Sequence, residues 1–448
     1  MFDRPDNWKD LTPNERLLKR LDHMVSARGI NFIDEEAESA YKERATLIRD
    51  AVELKKIPAR IPVFPSHGEY PFRHAGLTPY EMYYDHENET MVNAPLSFDL
   101  EFQPDVGSIL FPCSGILFEI LDCKMLKWPG HGIPKESGHQ FVEREYMFAE
   151  EYPHFLADPT DFLLRRFFPR VHGTLKPLEK LPSLTEHIFA TTVADFIPFA
   201  AYDIQEALLK LIEAGKEAMR VIKMLTPAMM ASKAAGFPSF MNFGGLAPFD
   251  IVGDLLRGSK GIMTDMYRRP EAVIAACEKL LPFIINGTLS IADRFDTPLI
   301  GLPLHKGDDY HMSPDQFKKF YWPTLKEMMQ RYSEEGLIPI CFAEGSYNMR
   351  LEIIADFPKG HCVWYFDKTD MKRAKEVLKD VCCIMGNVPA SLILTGTPDD
   401  IRAYCKNLID VCGKGGGFIM TTGASIDYAK PENIKAMIDF TKEYGVYR

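Results

Sequence analysis

The stretch PICFAEGSYN, residues 339–348, delivers a lone carboxylate, Glu344, at the end of a run of apolar and small residues. An isolated carboxylate among apolar neighbours is costly unless it finds a cation, a hydrogen bond or a proton, so a short buried strand tipped by glutamate points to acid–base chemistry. Other apolar runs end in the same way. His67 follows RIPVF (60–64), Cys113 and Ser114 follow GSILF (107–111), and Asn242, Gly244 and Gly245 close the run SFMNF (239–243). His305, Asp308, Asp309, Tyr310 and His311 follow residues 298–302, Asp367 follows VWYF, Asn387 follows CCIMG, and Thr421, Thr422 and Gly423 follow GFIM. Glu344, His67 and His305 are the candidate catalytic groups. Asp308, Asp367, Asn387, Asn242, Tyr310 and Trp364 are the candidate substrate contacts.

Plain structural roles compete with these. A strand-end Asp or Asn often caps the next helix, which is the competing reading for Asp367 and Asn387. One of Asp308 and Asp309 is expected to be solvated, and His311 is expected at the start of the helix after Ser313-Pro314. Tyr310, Trp364 and Tyr365 could line a flat apolar pocket, against the commoner use of aromatics in core packing. His305, His311, Asp308 or Asp309, and Glu344 form a conceivable nitrogen and oxygen ligand set, but their spacing follows no metal signature. No metal ligand is assigned.

These tips need a frame. From about residue 200 onward short apolar runs alternate with amphipathic segments. Helices are expected at 204–225, 270–292, 314–335, 348–356, 371–379, 398–412 and 431–444. Strands are expected at 239–243, 298–302, 338–342, 362–366, 382–385 and 417–421. With the earlier runs at 60–64 and 107–111, the pattern predicts an α/β fold with a parallel sheet covered by helices, specifically a closed (β/α)8 TIM barrel. Chemistry in such barrels gathers at the carboxyl ends of the strands. Thr12-Pro13-Asn14-Glu15 carries a capping pattern that opens a polar helical extension over residues 1–58. The barrel is expected over 59–448, with an insertion at about 123–182 containing a short helix at 159–167. No GxGxxG turn follows the first strand, which weakens a dinucleotide-binding reading.

A net charge of −11 and the lack of a long basic run argue against a nucleic-acid partner. The nine cysteines form no CxxC and are odd in number, which suits reduced thiols in the cytoplasm. The amino-terminal segment is charged and has no apolar signal core. No stretch approaches the roughly 18 apolar residues of a membrane span, so no membrane association is expected.

The stretch from His305 to Asn407, with MSPDQFKKFYWP and GNVPASLILTGTPDDI, resembles the uroporphyrinogen decarboxylase superfamily. So do IMTTGASIDYAKPENIKAMID near the end and RIPVFP near the start. The likeness is best over about 258–447 and absent over about 123–182. It implies a (β/α)8 barrel and one of two chemistries: decarboxylation of uroporphyrinogen, or methyl transfer involving corrinoid proteins. Decarboxylases of the superfamily open with an arginine-rich stretch for the substrate's carboxylates. Here the nearest segment is FRHAGL, which keeps Arg73 but has Leu77 at the second arginine position, and the expected aspartate is replaced by Pro112, Cys113 and Ser114. The thiol-methylating branch holds zinc through His-x-Cys and a later Cys. The corresponding positions here are Phe342, Glu344 and Ala424, so that zinc site is not expected. The resemblance therefore implies a corrinoid-dependent methyltransferase moving a methyl from a small donor, such as a methoxylated aromatic, to cobalamin on a partner protein. Glu344 is the candidate general acid in this O-demethylase reading. The alternatives are a decarboxylase-like lyase acting on another small carboxylic acid and a non-catalytic module that binds a corrinoid protein. A homodimer is compatible with each reading.

Overall fold

The computed structural model describes residues 2–108, 113–185 and 192–447. Nine strands carry labels here. A small three-stranded sheet, order β2-β1-β3, comprises β1 (Leu126–Pro129), β2 (Gly132–Ile133) and β3 (Gln140–Phe141). A six-stranded parallel sheet runs in sequential order through β4 (Asn242–Phe243), β5 (Leu299–Leu304), β6 (Ile338–Ala343), β7 (Val363–Phe366), β8 (Cys383–Val388) and β9 (Phe418–Thr422). Parallel neighbours need crossover connections, and helices supply them. The crossover helix Pro398–Leu408 and the closing helix Pro431–Tyr444 each begin on proline, whose fixed φ suits a first helical turn and whose missing N–H costs nothing there.

Strand side chains alternate between two faces. Ile300, Leu302, Leu304, Cys341, Ala343, Trp364, Phe366, Ile384, Val388, Phe418 and Met420 pack into the layer of covering helices. Leu299, Ile338, Ile340, Val363, Tyr365, Cys383, Met385 and Ile419 pack on the other face, together with Phe64, Val106 and Phe240. Helices α1 (Pro13–Ser26) and α2 (Glu35–Glu53) close the amino-terminal end of that second face with Leu17, Leu21, Met24, Ile48, Ala51 and Val52. Arg20 of α1 fixes this placement by donating to the carbonyls of Ala292 and Glu335, just ahead of β5 and β6. The sequence shows α1 starting at a capping box, in which Thr12 and Glu15 exchange hydrogen bonds.

Two expected strands are not regular ladders. Residues 60–64 pair only through single bridges, Val63 to Met420 and Arg60 to Val446. Pro62 and Pro65 remove the donors that a continuous ladder needs. Backbone bonds still run from Met420 N to Pro62 O, Phe64 N to Met420 O, Asp105 N to Val63 O and Gly107 N to Pro238 O. Of the run 107–111, Gly107 and Ser108 lie in no strand, and the rest falls outside the described residues.

Several helices also differ from expectation. Residues 348–356 retain only Leu351–Ile354, because Asp309 accepts from Ser346 Oγ and Met349 N and holds the preceding turn open. The first long helix after 200 runs further, from Tyr202 to Ala234. Residues 248–268 and Glu89–Phe102 form helices that the sequence pattern did not mark. Contrary to the membrane expectation, Pro270–Arg294 is apolar and long enough to cross a bilayer by length and composition. Its stripe of Val273, Ala276, Cys277, Leu281 and Ile285 is nevertheless buried in the protein core.

Candidate active site

The strand register explains why three polar side chains meet. Leu304 of β5 pairs with Ala343 of β6, which pairs with Phe366 of β7, so the three lie at one level. All three face the helices. With a period of two, the next residues, His305, Glu344 and Asp367, continue the opposite face. Two residues earlier on that face, Phe342 and Tyr365 stack at 4.3 Å and form a floor beneath the polar tier.

His305 is the centre of this tier. Its Nδ1 lies 2.6 Å from Asp254 Oδ2, and its Nε2 lies 3.9 Å from Glu344 Oε1. The second gap is too long for a hydrogen bond but short enough for an ion pair. Asp254 is itself braced by Lys306 Nζ, 2.9 Å from its Oδ1, and that ammonium also donates to Ser259 Oγ at 2.7 Å. Asp250, fully buried, accepts from the backbone N–H of His305 and of Lys306, each at 3.0 Å, and from the Tyr321 hydroxyl at 2.7 Å. On the facing strand, Asp367 Oδ2 accepts from Gly345 N at 3.1 Å. Gly345 has a φ of +80°, and a Cβ there would stand 2.5 Å from Asp308 Oδ2, so the chain needs glycine immediately after Glu344.

These contacts set the charges. The hydrogen bond that His305 donates to Asp254 raises the His305 pKa to about 9 against the opposing effect of burial, with Asp250 and Glu344 adding to the rise. Burial raises Glu344, helped by Asp250, Asp367 and Asp254 and opposed by His305. Burial pushes Asp254 upward too, but its bonds to His305 and Lys306 prevail and hold it below the ordinary carboxylate range. Burial lifts Asp250 to about 6 and also raises Asp367. At neutral pH the tier thus holds an imidazolium among carboxylates whose affinity for protons differs from one to the next.

Of the residues singled out in the sequence, His305, Glu344 and Asp367 are brought together. His67 lies elsewhere. It lines a small interior cavity with Phe64, Val106, Phe240, Tyr365 and Met385, packs edge-on against Phe98 at 5.2 Å, and has a pKa lowered to about 4 by burial. Its Nδ1 is buried and has no hydrogen-bond partner in another residue among those described.

The remaining expectations need correction. Asp308 is tied to His311, accepting from its N–H at 2.9 Å and lying 2.6 Å from its Nδ1, while Asp309 holds the 346–350 turn; neither is solvated. Asn387 uses its amide to bind the carbonyls of Asp367 and Thr369, so it braces the turn after β7 instead of facing a ligand. Asn242 is level with Ile300, low on β5, and its amide reaches toward the Thr297 carbonyl at 3.5 Å, away from the tier. Tyr310 is 84% exposed, and Trp364 is wholly buried against Tyr347 and Phe366 on the helical side. Tyr365, one position on, faces the cavity.

The sequence reading missed Asp250, Asp254 and Lys306. A signal existed: PFDIVGDLLR places two acids four apart in an otherwise apolar helical run, which puts both on one helix face. Arg73, the one arginine kept from the decarboxylase-like segment, is engaged. It donates to Glu69 Oε2 at 2.6 Å and to the Glu136 carbonyl at 2.8 Å, and lies over the Tyr428 ring. Among the described residues, no group of three or more His, Cys, Asp or Glu side chains could hold a metal ion.

A parallel α/β sheet with titratable side chains gathered past the carboxyl ends of its strands defines an α/β protein of the enzyme-bearing kind. The family model for uroporphyrinogen decarboxylase (URO-D) matches residues 207–444. The chain belongs to the uroporphyrinogen decarboxylase (URO-D) family. It is 28% identical over 140 residues to a uroporphyrinogen decarboxylase from Chlorobium luteolum, a match that covers 30% of this chain and 38% of that protein. Among solved structures it resembles a methyltransferase from Methanosarcina mazei, with a TM-score of 0.53 and 16% identity over 89% of this chain and 98% of that one. That likeness is one of fold.

Proposed function

We propose that this chain is a methyltransferase that moves a methyl group from a small donor to the cobalt of a corrinoid carried by a partner protein, with Glu344 as the general acid. The observation that carries this reading is the His305–Glu344 pair, set at one level on adjacent strand ends with 3.9 Å between Nε2 and Oε1. A donor heteroatom placed between them would lie within hydrogen-bond reach of both. Methyl ethers and amines release their methyl poorly because the departing alkoxide or amide is a bad leaving group. In the proposed step the bond between heteroatom and methyl carbon breaks, the methyl carbon bonds to the reduced acceptor, and the heteroatom takes a proton from the pair. The neighbouring carboxylates favour the protonated form of Glu344, and His305 keeps a charge beside it. The corrinoid enters as a co-substrate, and His305 and Glu344 leave 34% and 44% of their side chains accessible to it. The stacked Phe342 and Tyr365 beneath them suit a flat apolar donor such as a methoxylated aromatic.

We also read the architecture as a closed (β/α)8 ring, in which residues 62–64 and 105–107 bridge β9 back toward β4, with residues 1–58 an extension and 123–182 an insertion. The backbone bonds described above support that reading.

A second reading, a decarboxylase-like lyase on a small carboxylic acid, is favoured by the partial match to uroporphyrinogen decarboxylase. The engaged Arg73 weighs against a substrate with many carboxylates, which needs several free charged partners. Incubation with reduced cobalamin and a panel of methoxy-aromatics and methylamines separates the two. Methylcobalamin should form with at least one donor, whereas release of carbon dioxide from a small acid without any corrinoid would overturn the methyltransferase reading.

A further inference from the structure

We propose that Asp254 is a positioning residue that holds the Nδ1–H of His305, so that Nε2 is turned toward the general acid Glu344 and the donor. This rests on the reading of the His305–Glu344 pair given above and assigns a role to a residue outside the strand ends.

The geometry supports it at three points. Asp254 Oδ2 takes Nδ1 at 2.6 Å, and a carboxylate there accepts a proton but offers none, which fixes the tautomer and the ring plane. Asp254 cannot turn away, because Lys306 holds its other oxygen and is held in turn by Ser259. The backbone beneath the ring is fixed separately by Asp250, which binds the N–H groups of His305 and Lys306. The ring therefore has one free nitrogen and one direction for it. The charged groups facing His305 are Asp254, Glu344 and Asp250, and those facing Glu344 are His305, Asp250, Asp254 and Asp367. The carboxylates around His305 favour its charged form, while burial and the acids around Glu344 raise that group against the opposing charge of His305.

The arrangement also explains the spacing in the sequence. Asp250 and Asp254 are four residues apart, so one helix face offers one carboxylate to the backbone of residue 305 and a second to its side chain. A shift of either acid by one position would turn it away from His305.

Nitrogen-15 NMR of the full chain, with the His305 signals assigned by their loss in His305→Gln, tests this without any methyl transfer. In the wild type Nδ1 should remain protonated across the titration, and the ring should titrate near pH 9. In Asp254→Asn the midpoint should fall toward the ordinary histidine value of about 6.5, with Nδ1 losing its proton first. Asp254→Glu, which keeps the charge, should restore part of the shift. With a donor in hand, Asp254→Asn should lower kcat by roughly 10²-fold and leave KM for the donor nearly unchanged. An unchanged midpoint and tautomer in Asp254→Asn, or a wild-type ring that titrates like a free histidine, would overturn the proposal. If the NMR result holds but no donor ever yields methylcobalamin, the assigned function fails while the positioning role stands.

Discussion

Two histidines stand just past extended segments of this chain, and their surroundings drive them in opposite directions. His67 follows residues 60–64 and sits in a small apolar cavity where burial keeps it neutral, with a pKa near 4. His305 follows β5 and is only partly buried, and one carboxylate at 2.6 Å outweighs that burial and lifts it to about 9. Burial alone does not decide the charge of an imidazole; a single well-placed acceptor reverses it. The lesson for reading such sites is that a strand-end histidine means little until its second nitrogen has been followed to its partner.

The sharpest way to break the contrast is at the centre of the tier. Glu344→Gln and His305→Gln should each lower methyl transfer by roughly 10²- to 10⁴-fold, while His67→Gln should lower it by less than about tenfold, measured as methylcobalamin formed per minute. Comparable losses at both histidines would erase the distinction. Next in size is the buried brace. Asp250→Ala strips three donors of their acceptor and should destabilise the protein by about 1–3 kcal/mol for each donor left buried without a partner, read from urea unfolding, with a loss of transfer that follows the misplacement of His305.

A smaller effect separates the histidines through pH. Because His305 has its pKa raised on folding, its stabilising contribution is fully present below the unfolded value of about 6.5 and is lost as pH rises through about 9. The Tm difference between wild type and His305→Gln should therefore be largest near pH 6 and shrink above pH 9. His67, lowered to about 4, has the opposite sign: acid titrates it and weakens the fold below its unfolded value. A Tm gap for His67→Gln that widens on going from pH 4 to pH 7 would match this. The smallest effect belongs to Tyr310→Ala, which should leave KM for any donor unchanged because the ring projects into solvent.

Much of the frame could be read from residues. From 298 onward the strands are short and buried on both faces, and the helices at Pro314, Met371, Pro398 and Pro431 start on a proline or after a capping aspartate, so the pattern switches cleanly at those points. The alternation of faces could not be read, since all-apolar strands carry no polar partner to mark parity. Trp364 and Tyr365 were therefore both read as pocket residues, when Tyr365 alone of the two faces inward. Residues 60–64 misled in another way: the apolar composition is that of a strand, but two prolines leave only isolated bridges. Glu344, His305 and Asp367 were visible because they terminate strands. Asp254 was not, because its contact with His305 spans 51 residues of chain and depends on how the helix at 248–268 docks.

The stopper formed by α1 and α2 has a consequence for traffic. With Leu17, Leu21, Met24, Ile48, Ala51 and Val52 packed against one end of this face of the sheet, that end is closed to the polar tier, and in the ring proposed above the opening for reactants lies at the carboxyl ends of the strands. If the proposed methyl transfer holds, a small donor and a carrier protein meet at that one opening, which predicts that the donor enters ahead of the carrier. Saturation kinetics should accordingly follow an ordered sequence, with the small molecule first to bind and last to leave.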